Sequence, residues 1–126
     1  MESILIPISL GELLDKISIL EIKRKFLTKK QLKNVENEII LLKNCLDTLK
    51  IEVDDNLYSE LKSINLKLWE IEDEIRLKER SKEFDKDFIN LARSVYKTND
   101  MRSELKLKIN ILYKSNITEE KLYETY

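Results

Sequence analysis

From Leu10 onward, apolar residues recur at alternating steps of three and four, the spacing that lines one face of an α-helix. Four segments carry this rhythm. Leu10, Leu13, Ile17, Leu20 and Leu27 form the first row, interrupted by Arg24. Ile19, Ile22 and Phe26 make a second row beside it, so this helix is expected to touch more than one neighbour. Leu32, Val35, Ile39, Leu42, Leu46 and Leu49 run without a fault through a second helix expected over about residues 31–50. Leu57, Leu61, Ile64, Leu68, Ile71 and Ile75 do the same in a third, with Leu66, Trp69 and Leu77 widening the face. The fourth row is Phe84, Phe88, Leu91, Val95, Thr98, Arg102, Leu105, Ile109 and Leu112, in which Thr98 and Arg102 are polar.

The segments between the rows carry helix-end signals. Ser9 with Glu12 reads as a capping box that starts the first helix. A short join around Thr28 makes the first two helices an antiparallel hairpin. In the linker Val53-Asp54-Asp55-Asn56, any of the last three residues can serve as an N-cap. The charged stretch from Lys78 to Lys86 contains a turn near Ser81. Ser115 or Thr118 is expected to cap a short final helix ending in Leu122, Tyr123 and Tyr126. The reading is therefore an all-α domain over residues 1–126. It comprises an extended arm (1–8), a first helical hairpin (9–50), a second (55–113) and a C-terminal helix (118–126). Long charged helices with little loop often pair between chains, so a homodimer is expected, with the arm able to pair with a second copy.

Composition narrows the class. The chain holds one Gly (Gly11) and one Pro (Pro7), too few for the turns of an all-β protein of 126 residues. Charged residues are 37% of the chain, yet 23 Lys and Arg balance 24 Asp and Glu at a net charge of −1. That balance argues against nucleic acid as a partner. The local run Lys23, Arg24, Lys25, Lys29, Lys30 and Lys33 reads as a solvated helix end, favoured by the dipole there. The single Cys45 excludes an internal disulfide and suits a reducing cytoplasm. The first residues lack the basic flank of an export signal. No apolar run approaches the ~20 residues that would span a bilayer, so no membrane role is expected.

Candidate chemistry is sparse. Without His, zinc sites and imidazole catalysis fall away, and no catalytic residue, metal or cofactor is expected. Two carboxylate pairs share i,i+3 spacing, Glu12 with Asp15 and Glu70 with Asp73. The all-α nucleotide pyrophosphohydrolases hold magnesium with such pairs, but order and spacing differ here, and chance explains them in so acidic a chain. The informative feature is the polar break at Thr98 and Arg102, flanked by Tyr96, Asn99 and Asp100. A desolvated guanidinium demands a carboxylate. The third helix offers Glu70, Glu72, Asp73 and Glu74, and Arg24 should find an acid in the same way. The favoured reading is a register-fixing ion-pair network; the other is a polar pocket for an anionic ligand.

Several blocks resemble a bacterial and phage family of unknown function, DUF6165. They are Ser9-x-Gly11-Glu12-Leu13-x-Asp15-Lys16-Ile17-x-Ile19-Leu20-Glu21-Ile22-Lys23, Leu68-Trp69-Glu70-Ile71-Glu72-Asp73, the run Leu91-Ala92-Arg93-Ser94-Val95-Tyr96-x-x-Asn99-Asp100-x-Arg102, and the closing Glu119-Glu120-Lys121-x-Tyr123-x-x-Tyr126. The resemblance implies no activity. It places Asp15, Lys16, Glu21, Trp69, Asp73, Tyr96, Asn99, Asp100 and Arg102 in the motif blocks. With Glu72 these are the candidate ligand-binding residues. The function expected is that of a non-enzymatic helical interaction or scaffold protein, self-associating and engaging a further protein. The alternative is a small-molecule enzyme or sensor taking a nucleotide- or sugar-phosphate-like anion at the polar notch.

Overall fold

The computed structural model describes residues 1–126 and contains four helices: α1 (Leu10–Phe26), α2 (Lys29–Thr48), α3 (Asp55–Arg80) and α4 (Lys86–Leu112). All four apolar rows become helices, and three of the four starts follow cap chemistry. Ser9 Oγ accepts from the Glu12 amide at 3.0 Å. Asp54 Oδ1 accepts from the amides of Asn56 and Leu57 at 2.8 and 3.1 Å, and Asp85 Oδ1 accepts from that of Phe88 at 2.9 Å. The capping box at Ser9 is half made, because the Glu12 carboxylate turns outward to Lys106 Nζ at 2.6 Å. α2 starts two residues earlier than the seam suggested and carries no side-chain cap on Thr28.

α1 is the central helix. It packs on α2, α3 and α4, while α2 packs on α1 alone. α1 runs parallel to α3: Leu10 and Leu14 share a cluster with Leu57, Leu61, Ile64 and Leu68, and Phe26 stacks on Trp69 at 5.2 Å between ring centroids. α4 runs back alongside both and adds Leu105 and Ile109 to that cluster. On the far side of α1, Leu20 meets Val35 and Ile39 of α2. This explains the two apolar rows of α1, which is buried on several sides. The antiparallel hairpins of the sequence reading are present as an open bundle.

Gly11 permits the tightest approach. Its amide donates to Asn110 Oδ1 at 2.7 Å, and an added Cβ would sit 2.7 Å from the Lys106 carbonyl oxygen. With no glycine beyond Gly11, α2, α3 and α4 end on lysines in the left-handed region, Lys50, Lys82 and Lys114 at φ of 51°, 53° and 54°. Behind Lys82 and Lys114, the Glu83 and Ser115 amides reach back to the carbonyls of Lys78 and Asn110 at 2.9 and 2.8 Å. This is the Schellman closure that usually employs glycine.

One expectation needs correction. Residues 118–126 form no helix. So short a segment cannot repay helix nucleation without a groove to lie in, and its side chains are tethered singly: Glu119 to Ser9, and Lys121 and Tyr126 to Asp100. Residues 1–8 form the expected arm outside the helices, and Ile4, Leu5 and Ile6 are exposed. No helix is long and apolar enough to cross a membrane.

Candidate functional site

The polar break of α4 closes on α1. Arg102 Nε donates to Asp15 Oδ1 at 2.9 Å and Nη2 to Asp15 Oδ2 at 2.6 Å, the bidentate fork of a guanidinium on a carboxylate. The third helix supplies an amide where an acid was expected: Asn65 Nδ2 donates to Asp15 Oδ1 and to Ser18 Oγ, both at 2.8 Å. Ser18 Oγ in turn donates to the Asp15 carbonyl at 2.8 Å. Lys106 Nζ stands 3.8 Å from Asp15 Oδ2 and Thr98 is buried. Arg102 Nη1 also donates to Asn99 Oδ1 at 3.3 Å. Glu70, Glu72, Asp73 and Glu74 make no ion pair with Arg102; a helix seam gives the need for a carboxylate but cannot say which neighbour supplies it.

Asp15 is only 1% exposed. Burial pushes its carboxyl up, but hydrogen bonds from Arg102 and Asn65 and the charges of Arg102 and Lys106 outweigh this, holding it below its ordinary value. The Asp15 bond and charge raise the Arg102 guanidinium against the opposing effect of burial. Lys106 also pairs with Glu12 at 2.6 Å, so Glu12 and Asp15 each face a cation.

Beside this network lies a notch of about 400 Å³ at the junction of α1, α3 and α4. Ile19, Ile22, Leu68 and Trp69 give its apolar surface; Asn65, Glu72, Asp73, Arg76, Asn99 and Arg102 give its polar rim. The structure thus gathers Asp15, Trp69, Glu72, Asp73, Asn99 and Arg102 around one locus. Tyr96 and Asp100 belong to another. Asp100 takes the Lys121 ammonium and, at 2.6 Å, the Tyr126 hydroxyl, while the Tyr96 and Tyr126 rings meet edge to face at 5.0 Å. Together with the tail they line a larger, open cleft of about 1070 Å³ along α4. The Lys121 and Tyr126 bonds hold the Asp100 carboxyl below its ordinary value.

Glu21 and Lys16 stand apart from both loci. Glu21 accepts from the Tyr58 hydroxyl and lies 3.6 Å from Arg24 and 3.8 Å from Lys62, so Arg24 finds its acid one turn away. Lys16 pairs with Glu12 at 3.6 Å on an exposed surface. Sequence reasoning did not single out Asn65, Ser18 and Lys106. Their signal was faint: each stands one position beside an apolar seam residue (Ile64, Ile17 and Leu105), where a polar side chain is usually solvated.

The chain is thus an all-α protein with a carboxylate–guanidinium pair bridging two of its helices. The family model for DUF6165, a family of unknown function, matches residues 4–126, and the chain belongs to that family. No curated protein and no solved structure matches the chain.

Proposed function

We propose that the protein is a non-enzymatic helical interaction module that acts as a homodimer in the cytoplasm and offers the assembled surface to a further protein partner. The observation that carries this reading is its surface. The chain exposes 9642 Å², whereas a compact monomer of 15.1 kDa exposes about 7,100 Å². The excess, roughly 2,500 Å² per chain, is of the size that extensive permanent interfaces cover.

Much of the uncovered apolar surface lies on an arm. α1 ends where Phe26 meets Trp69, but α3 continues to Arg80, about 16 Å further at 1.5 Å per residue. Along that arm, from Glu72 to Lys97, no residue is buried. Ile75, Phe88, Leu91 and Val95 continue the seams yet remain half-covered, and Leu77, Phe84 and Ile89 are exposed. A two-helix arm with a bare seam lacks the layer that α1 provides below, and the same arm of a second copy supplies it as a four-helix arrangement. The near-zero net charge does not oppose self-association.

Sedimentation of the full chain tests this directly. The expected mass is twice 15.1 kDa, and Phe84→Glu combined with Ile89→Glu is expected to give a helical monomer. A wild-type monomer at hundreds of micromolar overturns the dimer, and an arm variant that remains dimeric overturns the arm as its interface. The anionic-ligand alternative has less support, because Arg102 already spends three N–H groups on Asp15 and Asn99.

A further inference from the structure

Six of the chain's 23 Lys and Arg lie between Lys23 and Lys33, with no acid among them. The dipole of α1 accounts for Lys23, Arg24 and Lys25, which close that helix. It does not account for Lys29, Lys30 and Lys33, which open α2. There the dipole is positive, the first turn holds no acid and Thr28 makes no side-chain cap. Lys29 and Lys33, one turn apart, repel each other, and none of the three pairs with a carboxylate. Local stability is thus set aside with no compensation inside the chain, which is the mark of a functional surface.

The residues beside these lysines select the anion. Ile40 lies seven residues beyond Lys33 and Leu41 eleven beyond Lys30, close to two and three full turns, so each stands in line with its lysine. Ile40 and Leu41 are 58% and 55% exposed. Asn37 and Asn44 share their stripe, while Glu36 and Glu38 fall to its two sides. The opposite side of α2 carries Val35, Ile39 and Leu42 to their contact with Leu20 of α1. Since α2 has no other neighbour, the stripe is an outer face of the molecule. From Lys29 to Asn44 it holds three cations, two bare aliphatic side chains and no acid.

We propose that this face of α2 rests on an anionic lipid surface. The lysines meet headgroup phosphates and carboxylates as point charges, while Ile40 and Leu41 enter the boundary between headgroups and acyl chains. α2 lies along the bilayer, and no helix of the chain is long and apolar enough to cross one. A nucleic acid would use the charges but not the aliphatic side chains, and the stripe offers no aromatic ring for a base to stack on. α2 takes no part in the arm proposed for the dimer, so this face does not depend on that reading.

Sedimentation of the full chain with vesicles tests this, using phosphatidylcholine alone and phosphatidylcholine with about a third phosphatidylserine. Binding is expected to the mixed vesicles only. It should fall as salt rises from about 0.1 M to about 1 M and the screening length shrinks from about 10 Å to about 3 Å. Each lysine near such a surface contributes about fivefold, so Lys30→Gln combined with Lys33→Gln should weaken binding by about 30-fold. Because these lysines oppose the α2 dipole, the same variant should melt no lower than wild type, which separates lost binding from lost folding. Ile40→Ser combined with Leu41→Ser should also weaken binding, whereas Lys82→Gln with Lys86→Gln, exposed on the arm, should bind as wild type. The proposal is overturned by no binding to the mixed vesicles, by equal binding to phosphatidylcholine alone, or by binding that either α2 variant leaves unchanged. Tighter, lysine-dependent binding of a single-stranded oligodeoxynucleotide overturns it as well.

Discussion

Replacing Arg102 by Met removes both hydrogen bonds of the guanidinium fork and leaves the Asp15 carboxylate, 1% exposed, with Asn65 at 2.8 Å and Lys106 at 3.8 Å. Stripping one partner from a buried pair costs about 3–5 kcal/mol. The remaining partners and the 28% exposure of the Arg102 side chain place this case at the lower end, about 3 kcal/mol. A domain of this length has roughly 6–19 kcal/mol to lose, so the variant still folds. Urea denaturation followed by circular dichroism and Trp69 fluorescence, at fixed protein concentration, should show a midpoint lower by about 1.5–2 M. Asp15→Asn alone should cost about 2 kcal/mol, and the double variant less than the sum by about 2 kcal/mol. The pH dependence supplies a second check. In the wild type the Asp15 carboxyl lies below its ordinary value, so its contribution is present above the ordinary carboxylate pKa and is lost as pH falls toward the folded value. In Arg102→Met burial dominates and the carboxyl rises, so the penalty is largest near neutrality and shrinks on acidification. Additive single costs, together with a penalty that does not change with pH, would refute the pair as the organising contact.

Four further outcomes follow from the packing. Gly11→Ala drives a methyl against the Lys106 carbonyl at 2.7 Å, a backbone atom that cannot step aside. It should cost about 1–3 kcal/mol by urea denaturation, with Asn110→Ala failing to restore it. Lys82→Gly relieves a left-handed φ of 53° and should raise stability by up to about 1 kcal/mol, read as a higher melting temperature. Leu61→Ala empties a fully buried core position and should cost about 2–5 kcal/mol, whereas Leu41→Ala on the bare face of α2 should change little in the monomer. Asp100→Asn weakens the hold on Lys121 and Tyr126; residues 116–126 should then be clipped faster by protease while the melting temperature stays put.

The helices were legible along the chain, because their cause is local. The three-four rhythm, the caps at Ser9 and Asp54 and the turn at Ser81 are all read within a few residues, and the structure keeps each of them. The need of Arg102 for a carboxylate was legible too, since a guanidinium in an apolar seam is too costly alone. Which carboxylate it is depends on how the helices pack. The seam of α4 faces α1 as well as α3, so the acid came from Asp15, 87 residues away, and α3 contributed Asn65. Periodicity defines which face of a helix is buried but not which helix covers it. For the same reason it gave no warning that α2 would have one neighbour, that the α3–α4 arm would outrun α1, or that the final residues would form no helix and be held by single side-chain contacts. The notch lives on that second level too. Its residues come from three helices, whose meeting is set by the packing and not by the period of any one of them.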